Sequence, residues 1–227
     1  MIKVKLNLIT LLTFISNIIF AGGISMQDKE IKLPEPILKG KISLEETIYK
    51  RRSIRHFKQG QLTLQHVSQL LWATQGITDK SRDFRAVPSA GATYPLEIYL
   101  FVGEVEGLKK GIYKYNPYSH SIIYLVEGDK RQQLCAASLF QDSVKKAQIV
   151  IVITAIFDRT TKVYGNRGIM YVHMEAGHCG QNIYLQAEAL GLGTVAIGAF
   201  RDNDVKNILP VSKNEQPLYI FPVGLKQ

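Results

Sequence analysis

The feature that most constrains the fold is the apolar run QIVIVITAIF, residues 148–157. The run carries no charged residue and is dominated by β-branched side chains, a composition typical of a strand buried on both faces. Such a strand must lie inside a sheet whose two faces are both covered. Helical patterns at residues 63–76 and 170–191 can provide that cover. We therefore expect one domain in which helices flank a mixed sheet.

Shorter patterns predict the remaining elements. Residues 96–102 form a β-rich run, and the dipeptide Asn116-Pro117 separates two more strand patterns as the turn of a hairpin. One predicted helix begins with a capping box of Ser43 and Glu46, and a second ends with Gly76 as its C-cap. We also expect strands at residues 194–200 and 217–224, helices at 129–140 and 202–209, and a loop at about 77–94 that Tyr94-Pro95 ends in an extended conformation.

The first 25 residues have the pattern of a targeting segment. A basic start is followed by apolar residues from Leu6 to Phe20 and by the small residues 21–23, which is typical of a secretory signal. The apolar part is shorter than the roughly 20 residues of a spanning helix. We expect a signal peptide or membrane anchor at residues 1–23, a leader at 24–42 and a folded domain at 43–227. The protein is then exported, periplasmic or membrane-anchored, with membrane contact through residues 1–23 only, or cytoplasmic if Met26 is the true start.

Charge and cysteine content narrow the function classes. The net charge is +9, with Lys and Arg spread along the chain. No basic arm with interleaved aromatic residues occurs, so the sequence favours anionic ligands over nucleic acid. The two cysteines, Cys135 and Cys179, form no C-x-x-C motif and no His/Cys cluster, so no metal site is predicted. They are either two buried thiols or, if the protein is exported, a disulfide.

A cluster of arginines follows the first predicted helix. Arg51, Arg52 and Arg55 lie within five residues, with Ser53 between them. Guanidinium groups so close together repel one another unless an anion shares them, and a phosphate accepts bidentate bonds from arginine. The cluster indicates a phosphate site, and the alternative is a solvated basic helix end that suits the helix dipole.

A second candidate site is the loop that precedes the strand at 96–102. Its residues Pro88, Ser89, Ala90 and Gly91 have almost no side-chain bulk, so a flat ring could approach the backbone there. The alternative is an ordinary turn. Gly198 and Ala199 are similarly small and lie at the expected end of the strand at 194–200, where ligands often bind in open sheets.

These motifs occur in an order that resembles the nitroreductase superfamily of FMN enzymes. The order is RRSIR, LLWATQGIT, PSAGATYPLEIY, a long stretch from YGNRG to AIGAF, and PLYIFPVG. The resemblance runs from about residue 32 to the end and is strongest to the branch that contains the SagB-type azoline dehydrogenases. It implies an α+β fold, a nitroreductase-like three-layer sandwich with a mixed, mainly antiparallel sheet flanked by helices. It also implies a homodimer of domain-swapped type with two FMN sites at the subunit interface.

The resemblance assigns roles to residues already singled out and to a few others. The arginine cluster with Ser53 would hold the phosphate and the polar edge of the flavin. The loop 88–91 would come from the other subunit and lie against the flavin. Gln141 would lie near the ring, Gly198 and Ala199 would present backbone N–H groups to the reactive ring nitrogen, and Lys226 would lie near the phosphate.

The resemblance also implies an activity. A reduced donor, expected to be NADH or NADPH, would pass a hydride through FMN to a quinone, a nitro compound or a related small acceptor in a ping-pong mechanism. Azoline oxidases of this branch carry an adjacent Lys-Tyr pair, whereas this chain reads Lys162-Val163-Tyr164. Tyr164 is the candidate proton donor, or else a packing tyrosine. The alternatives are an azoline-forming peptide dehydrogenase and a flavin-binding interaction module without enzymatic activity.

Overall fold

A seven-stranded sheet forms the centre of the protein in a computed structural model that describes residues 29–227. The predicted targeting segment, residues 1–23, and Met26 lie outside the described residues. Its strands are β1 Glu30–Lys32, β4 Leu96–Val102, β5 Gly111–Asn116, β6 Ser121–Glu127, β7 Ile149–Ile156, β8 Leu192–Thr194 and β9 Glu215–Leu225. Their order across the sheet is β1-β6-β5-β4-β7-β9-β8, and all neighbouring strands are antiparallel.

Helices cover both faces of this sheet. They are α1 Leu44–Lys50, α2 Leu64–Gln75, α3 Arg131–Ala137, α4 Asp142–Lys146, α5 Asp158–Tyr164, α6 Arg167–Ala189 and α7 Asp202–Ile208. A small separate hairpin of β2 Ile77–Asp79 and β3 Phe84–Arg85 follows α2, within the segment predicted as a loop. No helix within residues 29–227 is long and apolar enough to cross a membrane.

The apolar run at residues 148–157 forms β7, which lies in the sheet between β4 and β9. Its alternate residues enter two different cores. Ile151 and its neighbours on one face pack with α2 and α6, whereas Val150 and Val152 on the other face pack with α3 and α7. The strand is therefore buried on both sides because each face meets a helical layer. The predicted three-layer α+β architecture with a mainly antiparallel sheet is confirmed, although the strand pairs among residues 29–227 are all antiparallel and the sheet is not mixed as predicted.

The predicted strand at residues 194–200 is wrong beyond Thr194. Beyond it, Ile197 pairs with Ile220 of β9 only as an isolated bridge, with backbone hydrogen bonds of 2.8 and 3.0 Å. In the register of this bridge, Val195 would lie opposite Pro222 in the next hydrogen-bonded pair. Pro222 has no N–H to donate to the Val195 carbonyl. Gly198 and Ala199 consequently lie in a loop and not at the end of a strand.

Two predicted helix caps differ from the expected form. The Ser43 hydroxyl accepts the Glu46 amide at 3.1 Å, but the Glu46 carboxylate binds Lys50 instead of completing the box. Gly76 does cap α2, yet its φ is −62°, outside the left-handed region. Glycine is required there for space, because a Cβ at position 76 would lie 2.3 Å from the Trp72 ring.

The loop before β4 contains one turn of 3₁₀ helix at Ala90–Ala92. The backbone is left-handed at Gly91, Ala92 and Tyr94, with φ values of 57°, 52° and 44°. The prediction of an extended conformation at Tyr94 is therefore wrong. A left-handed backbone is costly for residues with a Cβ, so the surroundings must hold this loop in place.

Candidate functional site

The basic segment after α1 lies along β8, the edge strand of the sheet. The Arg51 N–H caps α1 by donating to the Thr47 carbonyl at 2.9 Å. Three residues on, the Ile54 N–H donates to the Thr194 carbonyl at 2.8 Å. Gly193 makes this approach possible, because a Cβ there would lie 2.7 Å from the Ile54 side chain. Backbone pairing therefore fixes the segment that carries the arginine cluster.

Two ends of the domain meet at a cavity of about 360 Å³. Ser53 and Arg55 line it from the basic segment, and Lys226 lines it from the C-terminal end. The Lys226 ammonium also donates to the Glu188 carboxylate of α6 at 2.6 Å. The two side chains form a half-buried ion pair. The structure thus brings together two cations and a hydroxyl that the resemblance assigned to a phosphate, from positions far apart in sequence.

The two other arginines of the cluster have different surroundings. The Arg51 guanidinium lies 5.1 Å from the centre of the Tyr184 ring. The Arg52 guanidinium donates to the carbonyls of Tyr49 and Arg51, at 2.9 and 2.8 Å, and does not line the cavity. Arg52 is therefore the member of the cluster that the structure turns back toward α1.

Tyr184 connects the basic segment to the loop that carries Gly198 and Ala199. Its hydroxyl lies 2.9 Å from the Ser53 hydroxyl and accepts the Ala196 N–H at 2.8 Å. Sequence reasoning missed Tyr184, because nothing in a helical pattern marks one aromatic residue as a bridge between two loops. Its contacts depend on the packing of α6 against β8.

Gln141 lies against the same loop. Its amide nitrogen donates to the carbonyls of Ala199 and Ser138, each at 3.2 Å. The preceding residues, Leu139 and Phe140, are both left-handed, with φ values of 55° and 59°. Phe140 is 71% exposed in spite of its apolar ring. Strained backbone of this kind is concentrated at functional sites, so we add Phe140 to the candidate surface, which no sequence signal indicated.

The loop 88–91 lies in a different place, against α5 and the first half of α6. Pro88, Ser89 and Ala90 line a cavity of about 300 Å³ together with Tyr171, Met174, Glu175 and His178. Gly91 lies under Tyr164, since a Cβ at position 91 would be 2.6 Å from the Tyr164 hydroxyl oxygen. The structure therefore places the candidate proton donor directly over the loop that was predicted to meet a flat ring.

Within one chain the two halves of the candidate site remain apart. Glu175 of α6 lies beside the loop 88–91, and Glu188 of the same helix binds Lys226. At about 1.5 Å of rise per residue, these two positions are about 20 Å apart along the helix. The structure thus brings Ser53, Arg55 and Lys226 together, and Gln141 with Ala199, but does not bring the loop 88–91 to them.

An exposed apolar surface runs along α1 and α6, which pack against each other. Met170 and Met174 of α6 are 44% and 49% exposed. Gly177 extends the same helix face, and a Cβ there would meet no atom within 4 Å. We call this surface the α1–α6 face and define it by its exposed apolar residues, Leu44, Ile48, Tyr49, Ile169, Met170 and Met174. Exposed apolar side chains on two packed helices are typical of an interaction site.

Glu175 is an almost fully buried carboxyl group next to the loop 88–91, with 3% of the residue exposed. Burial raises the pKa of Glu175 from 4.5 to about 7, although the Ser89 hydroxyl, the Arg85 charge and the Gln75 amide each act to lower it. Burial dominates because the ionised form loses more hydration than these neighbours replace. Sequence reasoning missed Glu175, since the helical pattern of residues 170–191 does not distinguish a buried carboxyl from a solvated one.

The raised pKa of Glu175 predicts a pH-dependent stability. The neutral carboxyl is favoured in the folded protein, so its contribution is complete below pH 4.5 and is lost as the pH rises through about 7. At pH 8, Glu175→Gln should therefore raise the free energy of unfolding by about 3 kcal/mol, with little effect at pH 5. Urea unfolding at both pH values tests this, with exposed Glu106→Gln as the control. A gain of the same size at both pH values would contradict the assignment.

Gly91 should not tolerate a side chain. Gly91→Ala adds a Cβ in the left-handed region and drives it into the Tyr164 hydroxyl. We expect a loss of about 2–3 kcal/mol in the free energy of unfolding, from backbone strain and from displacement of the tyrosine. The matched control is Gly107→Ala, because Gly107 has a φ of +74° but no atom within 4 Å of its Cβ position. Thermal melts that show equal losses for the two variants would argue against contact between Tyr164 and the loop.

The chain is similar to known proteins in both sequence and fold. A family model described as the nitroreductase family matches residues 48–225. A protein of Methanocaldococcus jannaschii that is named as a nitroreductase is 49% identical over 197 residues, covering 87% of this chain and 96% of the relative. A solved structure from Ralstonia eutropha, also named as a nitroreductase, superposes with a TM-score of 0.78 at 25% identity, covering 90% of this chain and 92% of that one.

More distant matches point to a peptide-processing branch and to a flavin enzyme. The microcin B17-processing protein McbC of Escherichia coli is 28% identical over 153 residues, which is 65% of this chain and 56% of McbC. This match supports the similarity to the SagB-type branch. An NADPH:FMN oxidoreductase from Vibrio harveyi has the same fold, with a TM-score of 0.59 at 20% identity over 81% of this chain and 69% of that one. Together, the family match and the relatives show that the chain belongs to the nitroreductase family and is an oxidoreductase.

Proposed function

We propose that the protein is an FMN-dependent oxidoreductase that works as a homodimer. The observation that carries this proposal is the meeting of Ser53, Arg55 and Lys226 at one cavity. Arginine binds a phosphate through two parallel N–H bonds, and lysine and serine can satisfy its remaining oxygens. These residues fit the phosphate of FMN, and the small residues at 88–91 fit a flat ring. The family membership and the named FMN enzyme among its structural relatives support the same cofactor.

The homodimer follows from the separation of the two halves of the site. The loop 88–91 lies against the first half of α6, whereas the phosphate cavity lies near its C-terminal end, where Glu188 binds Lys226, so we assign the loop that meets this flavin to a second chain. A second copy packed on the α1–α6 face could supply the loop for the cavity of its partner. Met170, Met174 and the open position at Gly177 would allow two α6 helices to approach closely.

When bound, FMN supplies the ability to accept and donate a hydride. The residues of the chain bind and orient it. Arg55 and Lys226 would hold the phosphate, and Arg51, whose guanidinium lies 5.1 Å from the centre of the Tyr184 ring, would add a third positive charge from the same segment. Ala199 is held by Gln141 through its carbonyl, which fixes the small-residue loop beside the expected ring position. Exposed Phe140 next to Gln141 offers an apolar wall to a flat acceptor.

Tyr164 is the proposed proton donor to the acceptor. Its hydroxyl lies over Gly91, and the residue is 37% exposed. Val163 separates Lys162 from Tyr164 on α5, so the chain lacks the adjacent Lys-Tyr pair of the azoline oxidases in the branch that it resembles. This weighs against azoline oxidation and in favour of a small quinone or nitro acceptor.

Removal of the Tyr164 hydroxyl should slow acceptor reduction and leave flavin binding intact. We expect Tyr164→Phe to lower the rate of flavin reoxidation by a quinone by about 10²-fold, the usual contribution of a positioned general acid. Stopped-flow absorbance measures this rate directly. Tyr171→Phe is the control, because its ring packs on Tyr164 with centroids 5.2 Å apart. Equal rates in all three proteins would show that Tyr164 only packs.

Anaerobic mixing with NADH or NADPH tests the proposed reaction. We expect the flavin absorbance to bleach with one nicotinamide donor and to return on addition of a quinone or nitroarene. Steady-state data should give parallel double-reciprocal lines, as expected for donor and acceptor that use one site in turn. A protein that binds FMN but is reduced only by dithionite would favour the interaction module. Turnover only with a thiazoline or oxazoline peptide would favour the azoline-forming alternative.

The proposed location depends on residues 1–23. We propose that they export or anchor the protein, because a basic start, a short apolar stretch and small residues follow one another. Fusion of residues 1–30 to a reporter tests this. A reporter that remains wholly cytoplasmic would contradict export and favour Met26 as the start.

A further inference from the structure

A single buried cluster behind the loop 88–91 contains every buried side-chain atom without a hydrogen-bond partner among residues 29–227. These atoms are Gln75 Nε2, Arg85 Nε and Glu175 Oε1. Arg85 Nη1 donates to Gln75 Oε1 at 2.9 Å, and both side chains influence the Glu175 carboxyl. Each of these three atoms is therefore buried without a partner, although the side chains that carry them act on one another. Because leaving buried polar atoms unbonded is costly, such a cluster can change its arrangement when one proton is added or removed.

The same cluster holds both ends of the loop. The Ser89 hydroxyl accepts the Tyr94 N–H at 3.0 Å, and the Arg85 N–H donates to the Tyr94 hydroxyl at 3.3 Å. The Arg85 guanidinium also lies 4.4 Å from the centre of the Tyr94 ring. Ser89 and Arg85, which hold Tyr94, are the groups that act on Glu175. A change at the carboxyl is therefore transmitted to the left-handed backbone between residues 91 and 94.

We propose that Glu175 is a positioning residue for the flavin-facing loop 88–91, which it holds in the binding conformation when neutral and releases when ionised. The proposal rests on the proposed function, because it concerns the loop expected to lie against FMN. Glu175 would act through Ser89 and Arg85 and would not itself touch the flavin.

The direction of the effect follows from burial. An ionised carboxylate in this position needs either water or the Arg85 charge. Water requires the loop to open above the cavity of about 300 Å³, and pairing with Arg85 requires the guanidinium to leave the Tyr94 ring. Both changes loosen the loop. By linkage, FMN should bind the neutral form more tightly and should in turn favour its protonation.

Several other groups face Glu175 and could contribute to a pH effect. Arg85 comes from β3, Ser89 from the loop and Gln75 from α2. Tyr171 and His178 of α6 line the same cavity. Burial raises the pKa of the Cys179 thiol, and the nearby Glu175 charge raises it further. His178 is the important competitor, because its imidazole lines the same cavity as the carboxyl.

The test uses two readouts on the full chain at pH 6 and pH 8. The first is hydrogen exchange of amides 89–94 without added FMN, corrected for the intrinsic rate, and the second is the Kd for FMN from flavin fluorescence. For the wild type we expect exchange protection to fall, and the Kd to rise, by about tenfold at pH 8, where only about a tenth of the molecules keep Glu175 neutral. Glu175→Gln should stay within twofold between the two pH values on both readouts.

Two further variants separate Glu175 from its neighbours. Glu175→Asp keeps a titrating carboxyl and His178→Gln removes the histidine, so both should retain the pH effect. A pH effect that persists in Glu175→Gln, or that disappears in His178→Gln, would overturn the proposal. A wild type without any pH effect on exchange would also overturn it. If no variant binds FMN while exchange still changes with pH, the proposed function fails and the action of Glu175 on the loop stands.

Discussion

Replacement of Arg51 and Arg55 together with alanine should abolish FMN binding and leave the fold intact. Arg55 lines the phosphate cavity, and Arg51 lies above the Tyr184 ring beside it. A hydrogen bond to a charged group contributes about 1.5–3 kcal/mol, so the loss of both guanidinium groups should raise the Kd for FMN by about 10²–10⁴-fold. Fluorescence titration with FMN measures this, and circular dichroism checks the fold.

Arg52→Ala is the matched control for that experiment. It removes the same charge from the same segment, but the Arg52 guanidinium binds the carbonyls of Tyr49 and Arg51 and does not line the cavity. We expect its Kd for FMN to remain within about threefold of the wild type, since its guanidinium binds these carbonyls and would form no bond with the phosphate. Full retention of flavin by the double variant would remove the phosphate assignment. Equal losses in all variants would reduce it to a general effect of charge.

Glutamate at positions 170 and 174 should convert the protein to a monomer. Met170 and Met174 lie on the α1–α6 face, where a second copy would bury them. Burying an unpaired carboxylate costs about 3–5 kcal/mol, so the double variant should raise the dimer Kd by more than about 10³-fold. FMN binding should fall as well, because the loop 88–91 of the partner would no longer reach the phosphate cavity. Analytical ultracentrifugation with and without FMN measures both effects.

Leu125→Glu is the corresponding control on another surface. Leu125 is an exposed apolar residue of β6, near the opposite edge of the sheet from β8. We expect this variant to remain dimeric and to bind FMN as the wild type does. A dimer that survives Met170→Glu with Met174→Glu and keeps its flavin would show that the subunits do not meet on the α1–α6 face.

The parts of the fold that could be predicted from the sequence are those whose pattern depends on local burial. β7 is apolar throughout because both its faces are covered, and β4 and the hairpin of β5 and β6 have clear strand composition. The predicted strand at 194–200 fails for a reason outside the segment itself, because Pro222 on the neighbouring strand cannot donate a hydrogen bond. The helix α4 has only five residues, too few for a helical period to be recognised.

The candidate site divides in the same way. The arginine cluster and the small-residue loop each consist of residues that are neighbours in the sequence, so each is visible as a motif. Arg55 and Lys226 line one cavity only because the folded sheet brings the two ends of the domain together. Only the resemblance suggested that both lie near a phosphate. Tyr184, Phe140 and Glu175 could not be predicted, because their importance comes from a bridge, a strained backbone and a buried charge. Each of these depends on packing between elements that are distant in the sequence.

The measurement that tests the central claim most directly is the visible absorption spectrum of the purified full-length protein, with any released pigment identified by chromatography. If the protein is an FMN-dependent oxidoreductase, we expect it to be yellow and to release one FMN per chain, or to take up added FMN to that ratio. A colourless protein that also ignores added FMN would contradict the claim and would leave only the nitroreductase fold.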